Sequence, residues 1–366
     1  ILRVLRAKSI RVALTIAMFL ALGEAALRAR AYVLHGSGGV ADNELYQPDP
    51  VLGKVLRPGA RLRGTRGELT VNSLGFRGPE FPADKPPGTF RIVCMGDSVV
   101  FGRYAPSDGL VWTALLQERL TRRWGRPVQV INAGVPGYSV ETNIKLLRLR
   151  ILPLHPDLII VCQLVNDLNN ASARVFGPGR DRLASGGPRR LTLEPWIGAF
   201  RDRNFLLHHI IRKNITPLVS TVNHGKGRRD EVPPDFSREY ERGLAALVDL
   251  ARAGGAEVVL CTAWKAFGRS QPAEAQEANA ASLLMVNPYL SLSGLHAAFD
   301  AMNQVVRAVA RDRGVSLVDL AELVPADPRL FRDAVHVSAE GEGVLADTLA
   351  ARLPARPMKK ADHGIQ

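Results

Sequence analysis

From residue 89 onward the chain alternates between two hydrophobic rhythms. Five short apolar runs, 90–95, 128–132, 157–163, 257–263 and 315–319, are rich in Val, Ile and Leu. Between them, helical apolar patterns occupy about 109–124, 139–151, 237–254, 295–313 and 338–353. Short unbroken apolar runs bounded by turn residues read as strands buried on both faces, and the longer patterned segments as helices with one buried side. Strands alternating with helices predict right-handed βαβ units, and therefore a parallel sheet with helices on both faces. The expected core is a parallel sheet of five strands. Gly254-Gly255 reads as a helix stop before the fourth strand, and Ser338 as the cap of the last helix.

Three stretches depart from this rhythm. Residues 1–30 open with Arg3, Arg6, Lys8 and Arg11, then run apolar for about twelve residues from Val12 to Gly23, before Glu24 and Arg28. A basic flank and an apolar core make the pattern of a signal sequence, although a clear membrane span takes roughly 20 residues. An uncleaved signal anchor, a transmembrane helix over 1–30, is the expectation; a cleaved signal peptide and an amphipathic soluble helix are the alternatives. With the basic end in the cytosol, the rest of the chain is expected in the periplasm or outside the cell. Residues 31–88 hold seven prolines and read as a collar or linker packed on the main domain. A hairpin is expected around Glu68–Asn72, and a turn at Asn72-Ser73-Leu74-Gly75-Phe76-Arg77-Gly78. The main domain then covers 89–366, interrupted by an insertion at 168–236 with a short apolar helix near 204–219. That insertion follows a strand's carboxyl end, so it reads as a lid or as a segment pinned to the core.

Composition adds limits. Apolar residues make up 46% of the chain, enough for a substantial core and incompatible with a wholly disordered polymer. The net charge of +13 is concentrated: residues 1–30 carry +5 and residues 168–230 carry +8, which together account for all of it. Such a balance raises nucleic acid or an anionic membrane as partners. The basic insertion lacks an aromatic stacking platform and the chain lacks a nucleic-acid motif, so the insertion reads as solvated surface and nucleic acid is not expected. Cys94, Cys162 and Cys261 each fall in a strand-like run and read as small buried apolar residues; their odd number and wide spacing form neither a disulfide framework nor a zinc site. His208 and His209 are adjacent and lack partner ligands. No metal or cofactor is expected.

The candidate chemistry gathers at the strand ends. Gly96-Asp97-Ser98 follows the first strand, Asn132-Ala133-Gly134 the second and Val165-Asn166-Asp167 the third, while Asp333-Ala334-Val335-His336 precedes the last helix. Parallel strands bring their carboxyl ends to one edge, where ligands bind in open α/β sheets. A serine hydroxyl is a weak nucleophile until a base takes its proton, which an imidazole does near neutral pH. Ser98 is thus a candidate nucleophile, His336 its base and Asp333 the group that orients the imidazole. The tetrahedral intermediate of acyl transfer needs preorganised donors for its oxyanion. The Ser98 N–H, the Gly134 N–H and the Asn166 side-chain amide are the candidates. Asp97 and Asp167 read as structural carboxylates bonding turn amides.

These four blocks, in this order, resemble those of the SGNH (GDSL-type) hydrolases: Ser98 in Gly-Asp-Ser, Gly134, Asn166 in Asn-Asp, and Asp333 with His336 in Asp-x-x-His. The resemblance covers residues 89 to about 353 apart from the insertion. It implies a flavodoxin-like three-layer α/β/α sandwich around the five-stranded parallel sheet, and metal-free ester hydrolysis by a Ser–His–Asp triad. The basic N-terminus followed by the Asn-Ser-Leu-Gly-Phe-Arg-Gly collar also resembles membrane-anchored bacterial members. Two departures stand out. The first block reads Gly-Asp-Ser-Val instead of Gly-Asp-Ser-Leu, and Leu164 stands where the third block usually has glycine, which bears on the reach of Asn166. The expected activity is cleavage of a carboxylic ester through an acyl-Ser98 intermediate; within the family small acyl groups on carbohydrates and lipid or aryl esters both occur, and acetyl groups on envelope carbohydrate are the favoured substrate. The same constellation also suits an acyltransferase that passes the acyl group to a sugar hydroxyl; a non-catalytic anchored binding protein is the alternative from another class.

Overall fold

The computed structural model describes residues 2–35, 44–64, 67–177 and 227–354. The middle of the basic insertion, with the expected helix near 204–219, its lid or pinning role and His208–His209, lies outside the described residues.

The five expected strands are all present: β5 (Phe90–Gly96), β6 (Val128–Gly134), β7 (Leu158–Cys162), β8 (Glu257–Cys261) and β9 (Ser316–Val318). They form one parallel sheet in the order β6-β5-β7-β8-β9. All of β5 and all of β7 are buried, as continuous apolar runs between two helical layers should be. Successive side chains of a strand point to opposite faces, and this divides the core in two. Val93 and Met95 face the layer that contains Leu244, Leu247, Phe299 and Met302. Ile92 and Cys94 face Trp112, Leu116, Leu345 and Leu349. The three-layer α/β/α architecture is therefore as expected, and the three cysteines are buried and free.

The order of strands positions the site. The chain leaves β5 toward β6 on one side, then crosses to β7 on the other, so the crevice between opposed connections opens at the carboxyl end of β5. Gly96 stands opposite both Gly134 and Cys162, and Cys162 opposite Cys261, which brings the strand ends level at one edge.

Some elements differ from expectation. A one-turn helix, α2 (Ser98–Phe101), and three further helices, Val165–Phe176, Ala273–Val286 and Leu320–Leu323, had no clear pattern in the sequence. Val165–Phe176 occupies what reads as the start of the insertion, because Leu168 is the one large apolar residue among its fully buried positions, the others being Asp167, Ala171 and Ser172. The collar contains two hairpins, β1 (Tyr46–Asp49) with β2 (Gly53–Leu56) and β3 (Arg61–Gly64) with β4 (Gly67–Thr70). Its Leu56, Val71 and Phe76 enter the larger core cluster. The expected transmembrane helix needs correction. Residues Leu2–His35 form one helix, α1, but among the described residues no helix is long and apolar enough to cross a membrane. The physical reason is the short apolar run: with Arg11 and Glu24 at its ends, Val12–Gly23 spans roughly 18 Å of helix against a hydrocarbon core of about 30 Å.

Candidate active site

Ser98 is the first residue of α2, immediately beyond the end of β5. Gly96 is required by close packing: a Cβ there would collide with the Cys162 carbonyl and the Val100 side chain. Asp97 caps the helix, its Oδ1 accepting from the Val99 N–H at 2.9 Å. The Ser98 N–H, at the first helical position, has no intrahelical acceptor and lies at the helix's electropositive end.

The downstream pair meets Ser98 across 238 residues of sequence. His336 Nε2 lies 2.7 Å from Ser98 Oγ, and His336 Nδ1 lies 2.9 and 2.8 Å from the two oxygens of Asp333. With the proton on Nδ1 donated to Asp333, Nε2 is left to accept from the Ser98 hydroxyl. The loop that carries the pair is tightly tied. Phe331 and Val337 bridge antiparallel, the Arg332 N–H donates to His336 O at 2.8 Å, and the Ala266 N–H donates to Ala334 O at 2.8 Å. Ser338, two residues on, caps the last helix, Ala339–Arg352, by accepting from the Gly341 N–H. The Tyr104 ring stands edge-on to the imidazole, with centroids 5.5 Å apart.

Asp333 is arranged to stay ionised. Burial pushes its carboxyl up, but the His336 side-chain hydrogen bond, the His336 charge and the backbone N–H groups of His336 and Val335 outweigh that and hold it below the usual value. Burial dominates at Asp97 and raises its pKa despite the Val99 and Asn166 hydrogen bonds and the nearby His336. Asp167 is pushed up to about 6 by burial, with both oxygens accepting from the Val140 N–H and one from Gln163 Nε2. Both carboxylates bond backbone amides at helix starts, which is the structural role their sequence context suggests.

The oxyanion candidates fare differently. Asn166 reaches the site edge: its Nδ2 donates to Asp97 Oδ2 at 3.2 Å and to Tyr138 O at 3.0 Å. Leu164, in place of the usual glycine, is buried with φ −162° and still delivers Asn166 there. Gly134 is not placed as expected. It is buried, its N–H already donates to Asn132 Oδ1 at 3.1 Å, and its Cα is packed against the backbone of Val100 and Phe101. The exposed residue of this strand end is Gly137, at φ +89° in the turn before Tyr138, whose carbonyl Asn166 touches. Its signal in the sequence was the second glycine of Gly134-Val135-Pro136-Gly137. Among the described residues no group of three or more His, Cys, Asp or Glu could hold a metal ion.

Residues 94–344 match the family of GDSL-like lipases and acylhydrolases, which is more than half of the chain. The chain belongs to this family. It is accordingly an enzyme, an esterase of the SGNH/GDSL type. No curated protein matches the chain. Solved structures similar to it include an acetyl xylan esterase from Geobacillus stearothermophilus, 14% identical, with a TM-score of 0.44 over 74% of this chain and 96% of that one. Another is the lipase/acylhydrolase from Enterococcus faecalis, 16% identical, with a TM-score of 0.43 over 74% of this chain and 98% of that one. A third is an α/β hydrolase enzyme from the metagenome of Lake Arreo, Spain, 20% identical, with a TM-score of 0.43 over 72% and 94%.

Proposed function

We propose that this esterase cleaves short-chain carboxylic esters through an acyl-Ser98 intermediate. The observation that carries the reading is the continuous hydrogen-bond chain from Asp333 through His336 to Ser98 Oγ. Ser98 Oγ attacks the ester carbonyl carbon while its proton passes to His336 Nε2. Asp333 steadies the imidazolium so formed. The resulting oxyanion is met by the Ser98 N–H and by the Asn166 amide, which exchanges its 3.2 Å bond to Asp97 for it, with the Gly137 N–H taking the part first expected of Gly134. Collapse breaks the bond to the alcohol oxygen, which takes the proton from Nε2. Water then attacks the acyl-serine, gives its proton to His336, and collapse releases the acid and restores the hydroxyl.

The short acyl group is supported by the small recess beside the catalytic turns, walled by Val99, Leu164, Val165, Trp264 and Val335. Acetyl esters of envelope carbohydrate suit so small a recess. We also propose that α1 attaches the protein to a membrane surface without spanning it. Support comes from the exposed Val12, Leu14, Met18, Phe19, Leu20 and Leu22 and from the basic residues that precede them.

The function is tested with Ser98→Ala on p-nitrophenyl acetate. Hydrolysis should fall to near the uncatalysed rate, and a fluorophosphonate should label wild-type Ser98 alone. Full activity in the variant would defeat the mechanism.

A further inference from the structure

The Ser98–Phe101 helix is a single turn, and one turn fixes its dihedrals for almost no internal hydrogen bonding. Its carbonyls are held from outside by separate parts of the chain. Trp112 Nε1 donates to Val99 O at 3.3 Å, and Asn132 Nδ2 donates to Val100 O at 2.8 Å. The last two carbonyls, Phe101 O and Gly102 O, both accept from Arg77 Nη1 at 2.6 Å.

Arg77 belongs to the collar, outside residues 94–344 that match the family. It is 4% exposed, and its guanidinium carbon lies 5.0 Å from the centroid of the Phe101 ring. Its Nε donates to Asp108 Oδ1 at 2.9 Å, and Asp108 Oδ2 accepts from the Thr70 N–H and hydroxyl at 2.7 and 2.6 Å. The backbone of Arg77 also forms a bridge to Asn132 in β6. The collar thus meets the edge strand and the far end of the nucleophile's helix at one residue. A cation at a helix C-terminus is favourable, and hydrogen bonds from charged donors are the strong ones.

We propose that Arg77 is a positioning residue for Ser98, so that the collar completes the active site instead of merely linking it to the N-terminal helix. The inference rests on the reading of Ser98 as nucleophile. The helix spans roughly 6 Å with no hinge inside it. A shift at Phe101 is therefore passed to Ser98, where it opens the 2.7 Å contact with His336. Misplacement by about 1 Å can cost about a hundredfold in rate.

The test compares Arg77→Ala, Arg77→Lys, Asp108→Asn and Lys85→Ala in the full chain. Lys85 is a control: it anchors the collar elsewhere, through Asp157 at 2.7 Å. The readouts are kcat and KM on p-nitrophenyl acetate, the rate of Ser98 labelling by a fluorophosphonate, and thermal unfolding. Arg77→Ala is expected to lower kcat and labelling about a hundredfold, with KM held within about threefold. Arg77→Lys should retain part of the rate, added guanidinium ion should restore part of it to Arg77→Ala, and Lys85→Ala should keep wild-type kcat. A folded Arg77→Ala with wild-type kcat and labelling overturns the proposal, as does an equal loss in Lys85→Ala. If Arg77→Ala does not fold, Arg77→Lys and Asp108→Asn decide: wild-type kcat and labelling in both overturn it, and a loss of kcat at unchanged KM supports it. Failure of wild-type Ser98 to label would overturn the nucleophile reading itself, which separates the two failures.

Discussion

Replacing Gly134 with alanine asks whether this residue serves through its N–H or through having no side chain. Alanine keeps the N–H, so a role as hydrogen-bond donor alone predicts little change. The structure predicts otherwise. A Cβ at 134 would sit 2.7 Å from the Val100 carbonyl carbon and 2.9 Å from Phe101 Cα, and closer still to the Phe101 nitrogen, whereas ordinary contact begins at 3.4 Å. All three are main-chain atoms of the Ser98–Phe101 helix, so relief requires that helix to retreat by more than 0.7 Å, the difference between 3.4 and 2.7 Å, because the Phe101 nitrogen is nearer than the Val100 carbon. Directed away from His336, that movement stretches the 2.7 Å contact from Ser98 Oγ to Nε2 past about 3.4 Å, beyond hydrogen-bond range. The expected loss of kcat/KM on p-nitrophenyl acetate is on the order of a hundredfold. Overpacking costs about 1–3 kcal/mol, and each kcal/mol lowers the Tm by about 2–4 °C in a domain of this size. Adding Phe101→Ala to Gly134→Ala should not restore activity, because the clash is with backbone. A Gly134→Ala enzyme with wild-type Tm and kcat/KM would refute the packing argument.

Other outcomes are open to simpler measurement. Glu342 is fully buried, with one oxygen accepting the Trp112 N–H at 2.7 Å, and burial pushes its pKa up from 4.5 to about 7 despite nearby Arg77. Because the folded-state value is the higher one, its stabilising contribution is complete below about pH 4.5 and is lost as pH rises toward 7, by about 3 kcal/mol on an order-of-magnitude basis. The stability of the wild type relative to Glu342→Gln, measured by urea unfolding, should therefore fall between pH 5 and 7 and then level off; a flat difference would show that Glu342 is not held neutral. Phosphatidylglycerol vesicles should sediment the full chain and not a chain lacking residues 1–30, and equal sedimentation of the two would remove the membrane role from α1.

Much of the scaffold was legible because its signals are local. A run such as Ile92-Val93-Cys94-Met95 is apolar at every position, which only a strand between two layers tolerates, and the amphipathic Arg238–Ala253 declares its buried face by spacing. Ala273–Val286 was not legible, since its small and apolar residues fall on every side, and Ser98–Phe101 is too short to have a period. The proposed triad residues were visible as types and order. Their meeting was not, because 238 residues separate Ser98 from His336.

Sequence alone therefore announced the parallel sheet and the proposed nucleophile, base and carboxylate partner, since each is marked by residues within a few positions of one another. Tertiary structure decided what depends on approach between distant segments. It showed Gly134 pressed against the backbone of Phe101 with its N–H already committed, and Arg77 of the collar holding the carbonyls of Phe101 and Gly102. It also showed a carboxylate, Glu342, buried beside a helix 230 residues away. A glycine, an arginine and a glutamate carry no mark in the chain of which atoms will crowd or satisfy them. That is set by the packing of β6, the collar and the last helix around one short turn.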